Sequence, residues 1–140
     1  QSEGMSEAWI EGCPVQRIMF RDGLVISMGD YNEVVVGVPM WLTLPPAGRW
    51  PREIVCDDPK AVLDEERPLF NISGSTCTEA RWNDQGDLHM EFSDDHVIDV
   101  PHDDFDTAWE IYGKYHGYVA SLPRGKVRVV RHDVPEEAGA

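Results

Sequence analysis

Apolar and polar residues alternate along two stretches of the chain that repeat one another. In the later stretch Leu88, Met90 and Phe92 alternate with His89 and Glu91, and Ile98 and Val100 alternate with Val97 and Asp99. A period of two is the pattern of an antiparallel sheet with one buried face. Both apolar sets share that face if Phe92 pairs with His96 around the loop Ser93-Asp94-Asp95. This register sets His89 opposite Asp99 on the wet face. In the earlier stretch Gly12, Val15 and Phe20 stand 62 residues before Gly74, Cys77 and Trp82. Leu24, Ile26, Met28, Asp30, Val34 and Val36 stand 64 residues before Leu88, Met90, Phe92, Asp94, Ile98 and Val100. Each copy reads as three strands, and the first pairs Met28 with Asn32, Ile26 with Val34 and Leu24 with Val36. Two units of matched register predict a pseudo-two-fold antiparallel sheet or a small open barrel.

Helical signals are added to this pattern. The bridge Pro45-Pro46-Ala47-Gly48-Arg49-Trp50-Pro51 is a loop, because proline lacks an amide donor. After it, Asp57-Asp58-Pro59 predicts a short helix from Pro59 to about Glu66, ended before Pro68. Asp103 or Asp104 is placed to cap a second helix, with Phe105, Ala108, Trp109 and Tyr112 on one face and Gly113 at the stop. That helix is expected to cover the sheet. Strand-like runs Tyr118 to Leu122 and Lys126 to Val130 flank the turn Pro123-Arg124-Gly125, and if this hairpin adds beside the second copy, Lys126 and Arg128 face its acids. The expected class is therefore α+β, in one domain over residues 5–133. Residues 1–4 read as an expression-tag remnant before Met5, and 134–140 as a flexible tail.

Charge narrows the function. The formal net charge is −14, which argues against nucleic acid or an anionic membrane as partner. Between Trp82 and Gly113 there are ten carboxylates and no Lys or Arg. This stretch is expected to dock a basic protein, with Asp94, Asp95, Asp99, Asp103 and Asp104 as contacts; the plain alternative is a solubilising face. Trp41 is out of phase with Val34, Val36 and Val38, and Trp50 lies in the proline loop. Both are candidate hot spots, since tryptophan is enriched at such positions. Three cysteines without a Cys-x-x-Cys pair fit a reducing cytoplasm, and the apolar run from Val34 to Leu44 is too short and too broken for a spanning helix.

Catalytic signatures are not visible. No Gly-x-Ser-x-Gly elbow or phosphate-binding glycine loop occurs, and the glycines are explained by turns. His89 and His96 fall on opposite faces of the predicted strands, so no metal or other cofactor is expected. The first reading is a non-enzymatic acidic interaction module. The second is a small-molecule-binding or enzymatic domain using a cleft between the two units, and a homodimer is a third.

Four short patterns carry a resemblance: Gly12-x-x-Val15, Gly74-x-x-Cys77, Phe92-Ser93-Asp94-Asp95 and Ala108-Trp109-Glu110. On these, from about Gly12 to Val130, the chain resembles an uncharacterised family of small actinobacterial domains. Copy one departs from the pattern at Gly29, where copy two has Ser93. A looser likeness is to immunity proteins of bacterial toxin systems, which are small, acidic, cytoplasmic and without catalytic motifs. That likeness implies an immunity or inhibitor protein that neutralises a basic partner, while the uncharacterised family supplies no catalytic residues.

Overall fold

The alternating segments become strands, and their pairing divides them between two sheets. A computed structural model describes residues 5–20, 22–60 and 72–131. Its strands are β1 (Met5–Glu7), β2 (Val15–Phe20), β3 (Leu24–Met28), β4 (Asn32–Val36), β5 (Met40–Leu44) and β6 (Glu53–Asp57), followed by β7 (Cys77–Asn83), β8 (Leu88–Phe92), β9 (Val97–Val100), β10 (Trp109–Gly113), β11 (Gly117–Leu122) and β12 (Lys126–Arg131). Sheet 1 runs in the order β1-β7-β8-β9-β5-β6, and sheet 2 in the order β12-β11-β10-β4-β3-β2. All strand pairs are antiparallel.

Both hairpins adopt the register that the apolar pattern requires. Leu24, Ile26 and Met28 face Val36, Val34 and Asn32, and Leu88, His89 and Met90 face Val100, Asp99 and Ile98. The Phe92 N–H donates to the His96 carbonyl at 3.0 Å. A shift in register also recurs, between Val15 and Arg17 in one copy and between Cys77 and Glu79 in the other. The copies touch reciprocally. The Gly12 N–H donates to the Cys77 carbonyl and the Gly74 N–H to that of Val15; likewise Val15 donates to Ser75 and Cys77 to Cys13. These bonds interchange under the 62-residue offset, so a local two-fold axis passes near the Pro14–Thr76 bridge. Gly12 and Gly74 have φ of 89° and 91°, a left-handed conformation that glycine adopts without a Cβ penalty.

The duplicated units do not form one sheet or barrel. Copy one lies in sheet 2 and copy two in sheet 1, and the strand after each copy crosses to the other sheet. Thus β5 pairs with β9, Leu42 facing Ile98, while β10 pairs with β4, Ile111 facing Val34. The inner faces of both sheets share one buried cluster, which includes Ile26, Val34, Leu42, Met90, Ile98 and Ile111.

The α+β expectation is overturned. Among the described residues there is no α-helix, only a 3-10 turn at Pro123–Gly125. The segment expected to cover the sheet as a helix is central strand β10, hydrogen-bonded between β4 and β11. Trp109, Ile111 and Gly113 point inward and Glu110 and Tyr112 outward, while Phe105 is 86% exposed. Asp103 does cap the chain, since its Oδ2 accepts the N–H groups of Phe105 and Asp106 at 2.9 Å each. It caps a turn, because β4 and β11 satisfy the backbone that follows. The other expected helix lies mostly outside the described residues. At its start Pro59 and Lys60 form a turn, and the Lys60 N–H donates to Asp58 Oδ1 at 3.0 Å. The last hairpin forms as expected but joins β10 in sheet 2. Arg128, opposite Ala120, therefore lies in the sheet that does not carry copy two.

Candidate functional site

The outer face of sheet 1 is built from residues that the pleat turns away from the core. Register aligns one row across all six strands: Glu7, Arg81, His89, Asp99, Trp41 and Cys56. A second row runs Glu79, Glu91, Val97, Thr43 and Ile54. At the centre the His89 ring is held at both nitrogens, with Nδ1 2.5 Å from Asp99 Oδ1 and Nε2 2.8 Å from Glu91 Oε2. The hydrogen bond to Asp99 is the main cause of a pKa raised to about 9; burial opposes it and Glu91 adds to it. His89 is thus an imidazolium at neutral pH and donates from both nitrogens.

Beside this pair lies a cavity of about 250 Å³. Met5, Trp41 and Pro101 supply apolar wall, and Asn83, Asp87, Asp99 and His89 itself supply polar groups. Trp41 is 48% exposed although its strand has a neighbour on both sides. Asp87 is fixed by surrounding donors. Its Oδ1 accepts the His102 N–H and meets His102 Nδ1, both at 2.9 Å, and its Oδ2 accepts from Asn83 Nδ2 at 3.1 Å. Burial works against ionisation of Asp87, but these bonds outweigh it and hold the carboxyl below its usual range.

The internal duplication supplies a control for which of these residues the fold itself requires. At the 64-residue offset, His89, Glu91 and Asp99 correspond to Val25, Ser27 and Val35. Val25 faces Val35 just as His89 faces Asp99. The scaffold therefore accepts an apolar pair where copy two carries an ion pair. A second cavity, about 290 Å³, lies at the related position on sheet 2, with Val35 for Asp99, Gly37 for Pro101 and Glu110 for Trp41. Next to it Tyr118 bonds Glu110 at 2.5 Å. Burial, reinforced by that carboxylate, pushes the Tyr118 hydroxyl up to about 12.

Glu79, His89 and Glu91 are the described residues whose ligand atoms converge closely enough to hold a metal, all within 4.8 Å. Their positive charge is already supplied from within the protein. Glu91 holds the imidazolium, and Arg81 Nε lies 3.3 Å from Glu79 Oε2, an ion pair without hydrogen-bond alignment.

Of the residues singled out in the sequence, the structure brings Trp41 and Asp99 together in adjacent strands. Asp103 and Asp104 follow on the loop whose Pro101 lines the cavity. Asp94 and Asp95 lie beyond the opposite end of β9, in the turn after β8, where Asp94 Oδ2 is 2.9 Å from His96 Nδ1. Trp50 is at that end too, in the β5–β6 loop, exchanging two 2.9 Å backbone bonds with Ala47. The sequence does not single out Asn83 or Met5, and it presents Asp87 only as one of the ten carboxylates of the acidic stretch. Gly86-Asp87 reads as an ordinary turn, and only the β7–β8 connection brings its carboxylate to the cavity.

No curated protein matches the chain, and no solved structure does. One family model matches residues 6–131, almost the whole of the described structure, and its description assigns no function. The chain thus belongs to the family of unknown function DUF6188.

Proposed function

We propose that this protein is a non-enzymatic, acidic interaction module that receives a basic protein on the outer face of sheet 1. The observation that carries the reading is Trp41, half exposed in a central strand and bordering a cavity that also holds Asp87 and Asp99. An aromatic anchor among acids fits a hot spot for cationic side chains. The net charge of −14 adds long-range attraction for the same class of partner. In its most concrete form the module is a cytoplasmic immunity or inhibitor protein, the bacterial class to which the sequence has its looser likeness, acting by occupying its target. Asp94, Asp95 and Trp50, at the far end of the face, contribute attraction more than contact.

Association kinetics test this with the basic protein captured from the native cell. Steering of this kind falls steeply with ionic strength. Asp84, Asp104 and Asp106 are exposed on the connections that follow β7 and β9, and Asp106 also lines the sheet 2 cavity. Replacing all three with lysine is expected to slow association by at least about tenfold at low salt. An unchanged rate for the variant, together with a flat salt series, contradicts the proposal.

A further inference from the structure

Resting on this reading of the outer face, we infer that the cavity beside Trp41 is a subsite for a single arginine side chain of the partner. Size, charge and wall chemistry point the same way. At about 250 Å³ the cavity is smaller than the roughly 300–1,000 Å³ of typical small-molecule sites, and it suits one side chain better than a cofactor. Asp87 and Asp99 set its sign. Their side chains are 41% and 47% exposed, so each can accept further hydrogen bonds beyond those it already makes. His89 lines the cavity too, but its charge does not reverse that sign: two lining carboxylates stand against one imidazolium, which Asp99 and Glu91 hold between them.

The walls then choose between the two long cations. Met5, Pro101 and the Trp41 ring offer apolar surface to a methylene stem. A guanidinium is planar, weakly hydrated, stacks on an indole and forks onto a carboxylate; an ammonium is a compact, strongly hydrated point charge. Stacking surface and carboxylate side by side therefore fit arginine. The related cavity on sheet 2 has carboxylates from Asp22, Asp106 and Glu110 and a cation of its own in Lys60, but its aromatic lining residue, Trp109, is 1% exposed and offers no ring face for stacking. The subsite belongs to copy two alone.

Blocked Gly-Arg-Gly tripeptide, with lysine and citrulline versions, titrated into the 15N-labelled protein, tests the assignment. The arginine peptide is expected to give saturable shifts at the Trp41 indole N–H and at the Asp87 and Asp99 amides. The lysine peptide is expected to bind several-fold more weakly, and the citrulline peptide to leave these signals in place. Trp41→Ala and Asp87→Asn should each weaken binding by at least about fivefold, about 1 kcal/mol, with the remaining spectrum dispersed as in the wild type. Glu110→Ala, in the related cavity, should change nothing. Equal shifts from citrulline, or no saturable shift with arginine, overturn the subsite; lysine binding as tightly as arginine overturns the choice of guanidinium. If the subsite fails while association stays salt-steep and sensitive to the triple lysine variant, the partner face stands. If both fail, the reading of the face falls with it.

Discussion

Replacing Trp109 with alanine is expected to destabilise the protein by about 3–5 kcal/mol, the range for losing a large aromatic from a packed core. Trp109 is 1% exposed. Its ring centroid lies 6.2 Å from that of Trp82, and its indole N–H donates to the Gly86 carbonyl at 2.8 Å. Truncation leaves a cavity between the sheets and a buried carbonyl without its donor, two costs that add. Trp109 also opens β10, the strand that crosses to the other copy's sheet, so its loss loosens the exchange itself. Urea denaturation measures the change directly. A loss under about 1 kcal/mol would place Trp109 at the surface and contradict the strand assignment.

Asp99→Asn is expected to lower the His89 pKa from about 9 by at least about one unit, since Asp99 is the principal group favouring the imidazolium. The sign of the stability effect follows from the shift. His89 binds its proton more tightly in the folded protein than at its unfolded value of 6.5, so its contribution is fully present below that value. It is lost as pH rises from 6.5 through about 9. The stability advantage of the wild type over Asp99→Asn should therefore be greatest in mildly acidic solution and shrink towards pH 9. An NMR titration of the His89 ring in both proteins settles the cause. An equal pKa in the two would show that Asp99 does not hold the ring.

Register was readable because alternation leaves little freedom: a slip of one residue would turn Met90 and Ile98 outward and His89 inward. That reasoning also found the pairing of His89 with Asp99. Sheet membership was not readable, because Leu42 and Ile111 bury the same surface against a strand of either copy. The exchange depends on the crossings themselves, Gly37 to Pro39 in one case and Pro101 to Ala108 in the other. Strand β10 reads as a helix in the sequence because Phe105, Ala108, Trp109 and Tyr112 also satisfy a 3.6-residue period. Gly113 concealed the competing period, since its inward position carries no side chain. The acidic stretch misled differently. Neighbours in sequence such as Asp94 and Asp103 are separated by the length of β9, at about 3.3 Å per residue, so ten carboxylates become several small groups. The site proper needed the β7–β8 connection and β1 to bring Asp87 and Met5 beside Trp41.

A rival surface exists on sheet 2. Tyr31 and Tyr115 are 67% and 51% exposed, with Lys114 Nζ 5.0 Å and 5.6 Å from their ring centroids. A cation among aromatics suits a different partner from the one proposed, so the location of the footprint decides between the faces. The most direct measurement is amide hydrogen exchange across the whole chain, with and without the captured basic partner. The account predicts new protection over β5, β8 and β9 and the 84–87 and 101–107 connections, centred on Trp41, His89 and Asp99. Protection confined to the Tyr31 and Lys114–Tyr115 turns, with sheet 1 unchanged, would contradict it.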